Sequence, residues 1–589
     1  VIQYLSLILF SVAAVAGLFQ RRVAYFILIL SSVLFAVSMF DPMNESTYFP
    51  LIASIVWSLV GFYSLSYGEH YGKWLAVLLS ITILGMAIIL VSTNYLIFIV
   101  GWEVMSIPSY AIIAMNRRDS SAAFTFMVFS EISTAFLIAG ALYSFSLTGF
   151  TSFAFVNTHS AIPLLLIGFG ALIKMGMTPF LISEWLPIAH GSAPANASAV
   201  FSSTMTLMGV YILFRLTEQS TMGAGFYYVG IIFLIIGGMS VFFASMYAYI
   251  SENMKMLGGF STIENQAAIL SAFGLILISS DPVLREFVMI SIIIFAFSHA
   301  ISKTGLFLSV GNSDSEYFSD AHAPDSMWGK IGALLSIMSL SGLFPTIGGL
   351  AVWMLLESFF MQAFMGGYTG IIAIIAGSIL AISEGMATGA MLKIISFTSL
   401  FNTRPGKNRS IQNSTVFFIG ISVLLLFLVA VLIVPKSFLS GIPSILVYNG
   451  FMIESRFTTG DFGLISPLYV AVLISVFSLF AYGVFGKPKT RIAPAWNSGR
   501  SSSAPYTSFA FSDNMRLMLK RLLRTRTGSY GQAMSVVDVF WSGMVLVGVN
   551  YRKACRVLSR IFMNSSIGWY MIYMILAFML TMLIAALLY

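Results

Sequence analysis

Apolar residues in this chain come in long unbroken runs separated by short polar connectors, rather than alternating or recurring once per helical turn. A helix that crosses about 30 Å of hydrocarbon needs roughly 20 such residues. Runs of that kind lie at 3–19, 23–40, 48–67, 73–91, 94–115, 121–145, 161–190, 195–216, 225–249, 257–279, 285–310, 329–364, 370–400, 415–435, 465–485 and 566–589. The pattern predicts an all-α polytopic membrane protein with about 16 transmembrane helices. Two runs are too long and carry helix breakers. The seventh contains Pro179 and Pro187, and the twelfth contains Gly342-Leu343-Phe344-Pro345 and Gly348-Gly349. Proline removes a backbone donor and glycine loosens the helix, so breaks are expected near Thr178–Pro187 and Leu343–Gly349. A single break would read as an ordinary proline kink. A pair in corresponding positions points to inverted repeats with ion sites at the breaks.

Charge placement adds an orientation. Arg21-Arg22, Lys73, Arg117-Arg118, Lys255, Lys330 and the group Arg404, Lys407 and Arg409 fall in or beside odd-numbered loops. Even-numbered loops hold only Arg215, Arg285, Lys436 and Arg456. The positive-inside rule then places odd loops in the cytoplasm and the N-terminus outside the cell membrane. The run ending at Arg21-Arg22 reads as a retained helix rather than a cleaved signal, because another span follows at once.

Residues 486–565 differ in kind. Lys487, Lys489, Arg491 and Arg500 precede Ser501-Ser502-Ser503, and the stretches 515–523 and 536–561 mix Arg and Lys with Leu, Met, Val and Trp. Such a segment lies along a membrane surface or a neighbouring subunit. The final run, 566–589, reads as a C-terminal anchor.

Composition narrows the function classes. Only 9% of the 589 residues are charged and 58% are hydrophobic, whereas soluble domains carry about 25% charge. One cysteine, Cys555, excludes an internal disulfide or a cysteine-ligated cluster. No phosphate-binding loop, dinucleotide fingerprint or HExxH motif occurs. The histidines His70, His159, His190, His299 and His322 offer no convincing haem pair. Neither a cofactor in this chain nor a nucleic-acid partner is expected.

Against this background, ionisable groups inside spans are costly and therefore candidate functional residues. They are Glu103, Glu131, Lys174, Glu264, His299, Lys303, Glu357, Glu384 and Lys393. Desolvation favours the neutral form of acids and bases alike, which brings both close to proton exchange. His299 and Lys303 are four residues apart and share a helix face. The competing reading is a histidine held by a backbone carbonyl. Lys174 precedes the first break, and Glu103 on a neighbouring span is its expected ion-pair partner. Lys393 lies near the cytoplasmic end of its span, where a lysine can simply extend to the surface. Glu384 falls on the opposite side of that helix from Lys393. Glu131 and Glu264 have no evident partner.

These residues lie in motifs. Lys174-Met175-Gly176-Met177-Thr178-Pro179, Trp185-Leu186-Pro187-Ile188-Ala189-His190, Ala193-Pro194 and Ser198-Ala199 closely resemble the signature of antiporter-like subunits. Those subunits belong to respiratory complex I, Mrp-type Na⁺/H⁺ antiporters and group 4 [NiFe] hydrogenases. Met254-Lys255-Met256-Leu257 with Ser261-Thr262-Ile263-Glu264-Asn265 is similar to the formate hydrogenlyase and hydrogenase-4 version, and His299-Ala300-Ile301-Ser302-Lys303 matches the family's axis helix. Pro494–Gly499 and Tyr506–Phe509 look like the hydrogenase-type C-terminal segment. The resemblance covers roughly 60–400 well and the tail loosely.

The resemblance implies two inverted five-helix repeats and proton transfer along a central hydrophilic axis. The corresponding organisation is N-terminal helices at 1–67, repeats at 68–216 and 217–400, additional helices at 401–485, the basic segment at 486–565 and the anchor at 566–589. Glu103 and Lys174 would form the paired switch, His299 and Lys303 part of the axis, and Lys393 the lysine of hydrogenase-type members. Some positions depart from the pattern. Leu207 stands where many members have a lysine before Gly209-Val210-Tyr211, and Ser498 where relatives often have cysteine. Trp353 occupies the usual charged position of the second broken helix, with Glu357 one turn later. The expected function is a proton-translocating subunit of a redox-driven membrane complex, with NiFe and Fe-S centres in partner membrane and peripheral subunits. The alternative is a stand-alone or Mrp-type Na⁺/H⁺ antiporter subunit. The long basic tail favours the first, since a lone antiporter needs no tether, and the nine buried charges disfavour a purely structural anchor.

Overall fold

A computed structural model describes residues 2–39, 45–115, 120–155, 160–178, 181–182, 185–218, 223–313, 315–319, 326–399, 410–437, 445–448, 452–457, 460–465, 467–486, 507–518, 526–527, 533–535, 539–562, 568–569, 571–576 and 579. They divide into two units, Val1–Phe511 and Ser512–Tyr589.

The first unit is a helical membrane bundle. Its opening helices are α1 (Ile2–Phe19), α2 (Arg21–Val37), α3 (Tyr48–Tyr67), α4 (Gly72–Val91), α5 (Tyr95–Ala114) and α6 (Ser120–Leu147). Next come α7 (Ile162–Lys174), α8 (Trp185–Ser192), α9 (Ala195–Val200), α10 (Thr206–Glu218), α11 (Ala224–Ile250), α12 (Met254–Ile278) and α13 (Pro282–Gly311). The series continues with α14 (Met327–Leu340), α15 (Ile347–Phe364), α16 (Gly367–Ile394), α17 (Ser410–Ser437) and α18 (Pro467–Phe485). Among the described residues, 12 helices are long and apolar enough to cross a membrane, and three further apolar helices are shorter. α12 and the α9–α10 span are buried over almost all of their length, with Met256 and Arg215 half-buried and Glu218 exposed, so they form the centre around which the other helices pack.

Both predicted interruptions are present. α7 stops at Lys174, and the chain turns at Gly176 with φ +92°, a left-handed conformation that glycine adopts without strain. A minimal antiparallel pair, β1 (Met177–Thr178) and β2 (Leu181–Ile182), precedes α8. The break therefore begins a little earlier than the prolines alone predict, because the glycine turn ends the helix first; Pro179 lies outside the described residues. The second break separates α14 from α15, with Gly342 at φ +63°. Here Thr346 caps α15 by accepting from Gly349 N, and Gly348 lies so close to Ser339 that an added Cβ would stand 1.8 Å from its carbonyl oxygen. Gly348→Ala is therefore expected to destabilise the protein by about 1–3 kcal/mol or more through overpacking, read as a lower unfolding temperature of the purified chain.

Two π-helical turns add local irregularity: Phe201–Met205 joins α9 to α10, and Ile395–Ser399 follows α16. Such turns leave a carbonyl without its usual helical donor.

The sequence reading assigned no element to the stretch between α17 and α18. The structure has a three-stranded antiparallel sheet there, β3 (Ile445–Tyr448), β4 (Met452–Phe457) and β5 (Gly460–Ile465). Asn449-Gly450 in the connecting sequence is a hairpin signal that hydropathy alone does not register. α12 also starts three residues earlier than its apolar run, because Asn253 accepts from Lys255 N and Met256 N. Lys255 is thus a buried first-turn residue rather than a free loop charge.

α19 (Ser508–Phe511) closes the first unit and packs on it. Tyr249 Oη donates to the Phe511 carbonyl at 3.2 Å, and the Phe511 ring meets Phe397 at 6.2 Å. The second unit contains α20 (Asp513–Met518), a short pair β6 (Arg526–Thr527) and β7 (Ala533–Ser535), and α21 (Val539–Phe562). In α21 the basic residues Arg552, Lys553, Arg556 and Arg560 are exposed. Residues 487–506, which hold Pro494–Gly499, and most of the expected anchor at 566–589 lie outside the described residues.

Candidate functional site

Close helix packing positions the first cluster. Gly85 on α4 faces Met105 on α5 so tightly that a Cβ would stand 2.3 Å from its backbone nitrogen, and a Cβ on Gly170 of α7 would meet the Ser133 carbonyl of α6 at 2.8 Å. Inside this packing Lys174 is 1% exposed. Its ammonium donates to Ser106 Oγ at 2.8 Å and to Ser130 Oγ at 2.6 Å, with the Trp102 and Phe126 rings at 5.2 and 5.5 Å. Three donors on an ammonium can be met by two hydroxyls and aromatic faces in this way. At the break, Trp185 Nε1 donates to Ile173 O at 3.2 Å, a carbonyl that also accepts from Gly176 N at 3.1 Å.

The expected direct ion pair with Glu103 is not formed; no ion pair among the described residues includes Lys174. Glu103 instead accepts from Thr134 Oγ1 at 2.5 Å, and Thr134 also donates to the Ser130 carbonyl at 3.1 Å. Carboxylate and ammonium are thus held by two hydroxyls one turn apart on α6, Thr134 and Ser130, with the Ser130 backbone carbonyl between them. The intervening hydroxyls won because Ser106 and Ser130 lie nearer the lysine. Glu131, predicted as buried, is on the exposed side of α6, since Ser130, Ser133 and Thr134 take the inward positions.

A second cluster occupies the core. His299 Nε2 lies 3.1 Å from the Ser202 carbonyl in the π-helical turn, while Nδ1 is buried without a partner. The backbone-carbonyl reading of His299 therefore holds for one nitrogen and leaves the other available. Lys303, 0% exposed, donates to Gly258 O at 3.3 Å. Glu264 accepts from Ser261 Oγ and Asn265 Nδ2, each at 3.2 Å, and Lys303 is its opposite-charge neighbour. Ser202 Oγ and Thr262 Oγ1 lie 2.6 Å apart, and Gln266 Nε2 donates to Thr206 Oγ1 at 3.1 Å. This polar strip lies between α10, α12 and α13, and Gly176 at the first break packs against Ile263, the residue before Glu264.

Glu384 is half-buried on α16, and Glu264 is among its charged neighbours. One turn on, Thr388 donates to the Ser341 carbonyl at the second break at 3.3 Å. Glu357 is half-buried, well along α15 from that break, and the buried Trp353 Nε1 one turn before it has no partner. The break itself, from Leu340 to Ile347, carries no charged side chain.

Lys393 does not extend to the surface. It is 0% exposed and pairs with Glu252 at 2.8 Å, donates to Ser251 O at 2.8 Å and lies 5.2 Å from the Phe318 ring. The other Glu252 oxygen accepts from Ser508 Oγ of α19 at 2.5 Å. Sequence reasoning missed Glu252, which follows a loop serine and resembles any connector acid. It also missed the Lys255–Glu316 ion pair, in which Lys255 additionally donates to Ala193 O at 2.9 Å. It set aside His190, which is fully buried, stacked on Phe307 at 4.7 Å, and without a partner on either ring nitrogen. Its place in the Trp185–His190 motif was the available signal. No grouping of metal-ligating side chains occurs among the described residues.

Residues 92–331 match the transmembrane family described as NADH:quinone oxidoreductase/Mrp antiporter. Over this stretch the chain is similar to Mrp/complex-I antiporter-like membrane subunits. It is also similar to the hydrogenase-4 and formate hydrogenlyase proteins. Identity to hydrogenase-4 component B of Escherichia coli is 27% over 381 residues, covering 60% of this chain and 56% of that protein. Formate hydrogenlyase subunit 3 of the same organism is 28% identical over 250 residues, covering 40% and 39%. The chain spans about half the length of these curated relatives. Its fold is like a chain of the membrane-bound sulfane sulfur reductase, an archaeal respiratory membrane complex, with TM-score 0.77, 16% identity, and 98% and 99% of the two chains covered. A chain of the Mrp complex from Dietzia sp. DQ12-45-1b gives TM-score 0.58 at 15% identity, covering 72% and 92%.

Proposed function

We propose that this chain carries protons across the cell membrane as a subunit of a redox-driven complex, with redox centres of the NiFe and Fe-S kind in partner membrane and peripheral subunits. The observation that carries this reading is Lys174 buried at a helix break, its ammonium on the Ser130 hydroxyl of α6 while Glu103 sits on the Thr134 hydroxyl one turn further along the same helix. The Ser130 carbonyl, which accepts from Thr134, interrupts the run of hydroxyls, so a proton passing between the two needs a hydroxyl rotation or a bridging water. The core strip of Glu264, Lys303 and His299 extends the route, and Glu384, Glu357 and Lys393 continue it towards the second half of the bundle. Glu131 flanks the Lys174 end.

In this reading residues 68–216 and 217–400 are inverted repeats, each with one broken helix, within a bundle of about 16 spans. The N-terminus is outside. Arg21, Arg22, Lys73, Lys255 and Lys330 then share the cytoplasmic face, together with the Lys393–Glu252–Ser508 contact. Glu357 stands in for the charge missing at Trp353.

Isolation of the native complex tests the partner class: iron-sulfur and nickel-containing subunits should co-purify with this chain. Recovery of the chain alone, with Na⁺-dependent proton exchange in vesicles, would favour the antiporter alternative. The basic segment 486–565 is assigned to the cytoplasmic membrane surface against a neighbouring subunit. Deleting everything after Phe485 is expected to reduce co-purification of partners several-fold while the bundle still folds. A truncated chain that retains every partner would remove the tether from this account.

A further inference from the structure

Glu131 carries an ionisable group where a helix otherwise meets lipid. It lies eleven residues after Ser120, the start of α6, and sixteen before its end at Leu147, roughly 16 and 24 Å from the two ends at 1.5 Å per residue. That is well inside hydrocarbon. Yet it is exposed, in a stripe with Phe124, Val128, Ala135, Ile138 and Leu142. The stripe recurs every three or four residues and is apolar everywhere except at Glu131. A carboxylate in such a place faces a protein partner or a water-filled cavity rather than acyl chains.

Its inner neighbours give the position a direction. Ser130 holds the Lys174 ammonium at 2.6 Å, and Glu103 and Lys174 are the charged groups that act on Glu131. The outward carboxylate thus adjoins in sequence the serine that binds the Lys174 ammonium.

We infer that the α6 stripe is the seat of a membrane helix from a neighbouring subunit, which presents a hydrogen-bond donor or cation to Glu131 at mid-membrane depth and opens the Lys174 site to that subunit. The proposal rests on the reading of this chain as part of a larger membrane complex. The expected occupant is heterologous rather than a second copy, because an isologous contact would face one carboxylate with another. Apolar neighbours supply the packing surface, Ala135 permits close approach, and the single polar group fixes register.

The test does not depend on pumping. Dicyclohexylcarbodiimide, an apolar reagent that modifies carboxyl groups in membranes, should label Glu131 when this chain is expressed without its partners. Labelling should fall at least tenfold in membranes containing the assembled complex, and Glu131→Gln should abolish it in the free chain. In a Cys555→Ser background, Ala135→Cys bearing a photoactivated cross-linker should join this chain to a different membrane subunit. Equal labelling of free and assembled chains, or cross-links only to lipid or to a second copy, would overturn the inference. Loss of pumping in other variants leaves these readouts unchanged, so the two readings fail separately.

Discussion

Replacing Lys174 by Met is expected to abolish proton pumping while leaving the complex assembled. The side chain is fully enclosed, and its polar partners are Ser106 and Ser130. Methionine keeps the volume, and Ser106 retains a backbone acceptor, since its Oγ already donates to Trp102 O at 2.6 Å. Glu103→Gln should have the same effect, because the amide still accepts from Thr134 but cannot take up a proton. The structure holds the arrangement in which carboxylate and ammonium are apart, each on its own hydroxyl of α6. A direct pair about 4 Å apart would be worth roughly 4 kcal/mol at an effective dielectric of about 20, or about three tenfold steps in an equilibrium constant. Interconversion of the separated and direct arrangements would therefore be coupled tightly enough to the proton on Lys174 to act as a switch. Proton uptake by inverted vesicles, measured beside the electron-transfer rate of the complex, decides it. Unmodified pumping in either assembled variant would make the pair structural.

How much of this was legible in advance follows from which physical signals are local. Apolar runs report directly on spanning helices, and Pro179, Pro187 and Pro345 report on breaks, because one residue's backbone preference is enough, although the glycine turn at Gly176 that ends α7 first was not read. The charged residues inside runs were visible for the same reason. What the sequence did not report was partnership. Lys174 and Glu103 read as a pair because opposite charges on adjacent spans invite one, but the outcome depended on Ser106, Ser130 and Thr134, whose side chains are common in membrane helices and carry no distinguishing mark. Lys393 read as a candidate whose competing reading was extension to the surface, since its span ends nearby; its enclosure involves Glu252 and Ser508, which are 256 residues apart. His190 sat in a recognised motif but beside a loop, and its enclosure came from Gly259 and Phe307 on other helices. Glu131 looked equivalent to the other acids, and only the packing of α5 and α7 decides which side of α6 is inside.

Lys303 and Glu264 are opposite-charge neighbours in the core without a direct ion pair between them. Each side chain is enclosed, Lys303 at 0% and Glu264 at 1% exposure. Lys303 has one carbonyl acceptor, Gly258 O, and Glu264 has two donors, Ser261 and Asn265. Removing one member of a buried charge pair leaves the other uncompensated, which costs about 3–5 kcal/mol. Lys303→Met and Glu264→Gln should each lower the unfolding temperature of the purified complex. The double variant leaves no orphaned charge, so it should recover most of that loss. The expected interaction energy in the double-mutant cycle is therefore favourable and about 1–3 kcal/mol, as for contacting residues in one network. Pumping should behave differently: both singles and the double variant should fail to move protons, because the double variant restores charge balance but not an exchangeable group. Additive stabilities would mean that the two groups do not sense each other. A double variant that recovers both stability and pumping would place the proton route elsewhere, with His299 and its unpartnered Nδ1 as the next residue to replace.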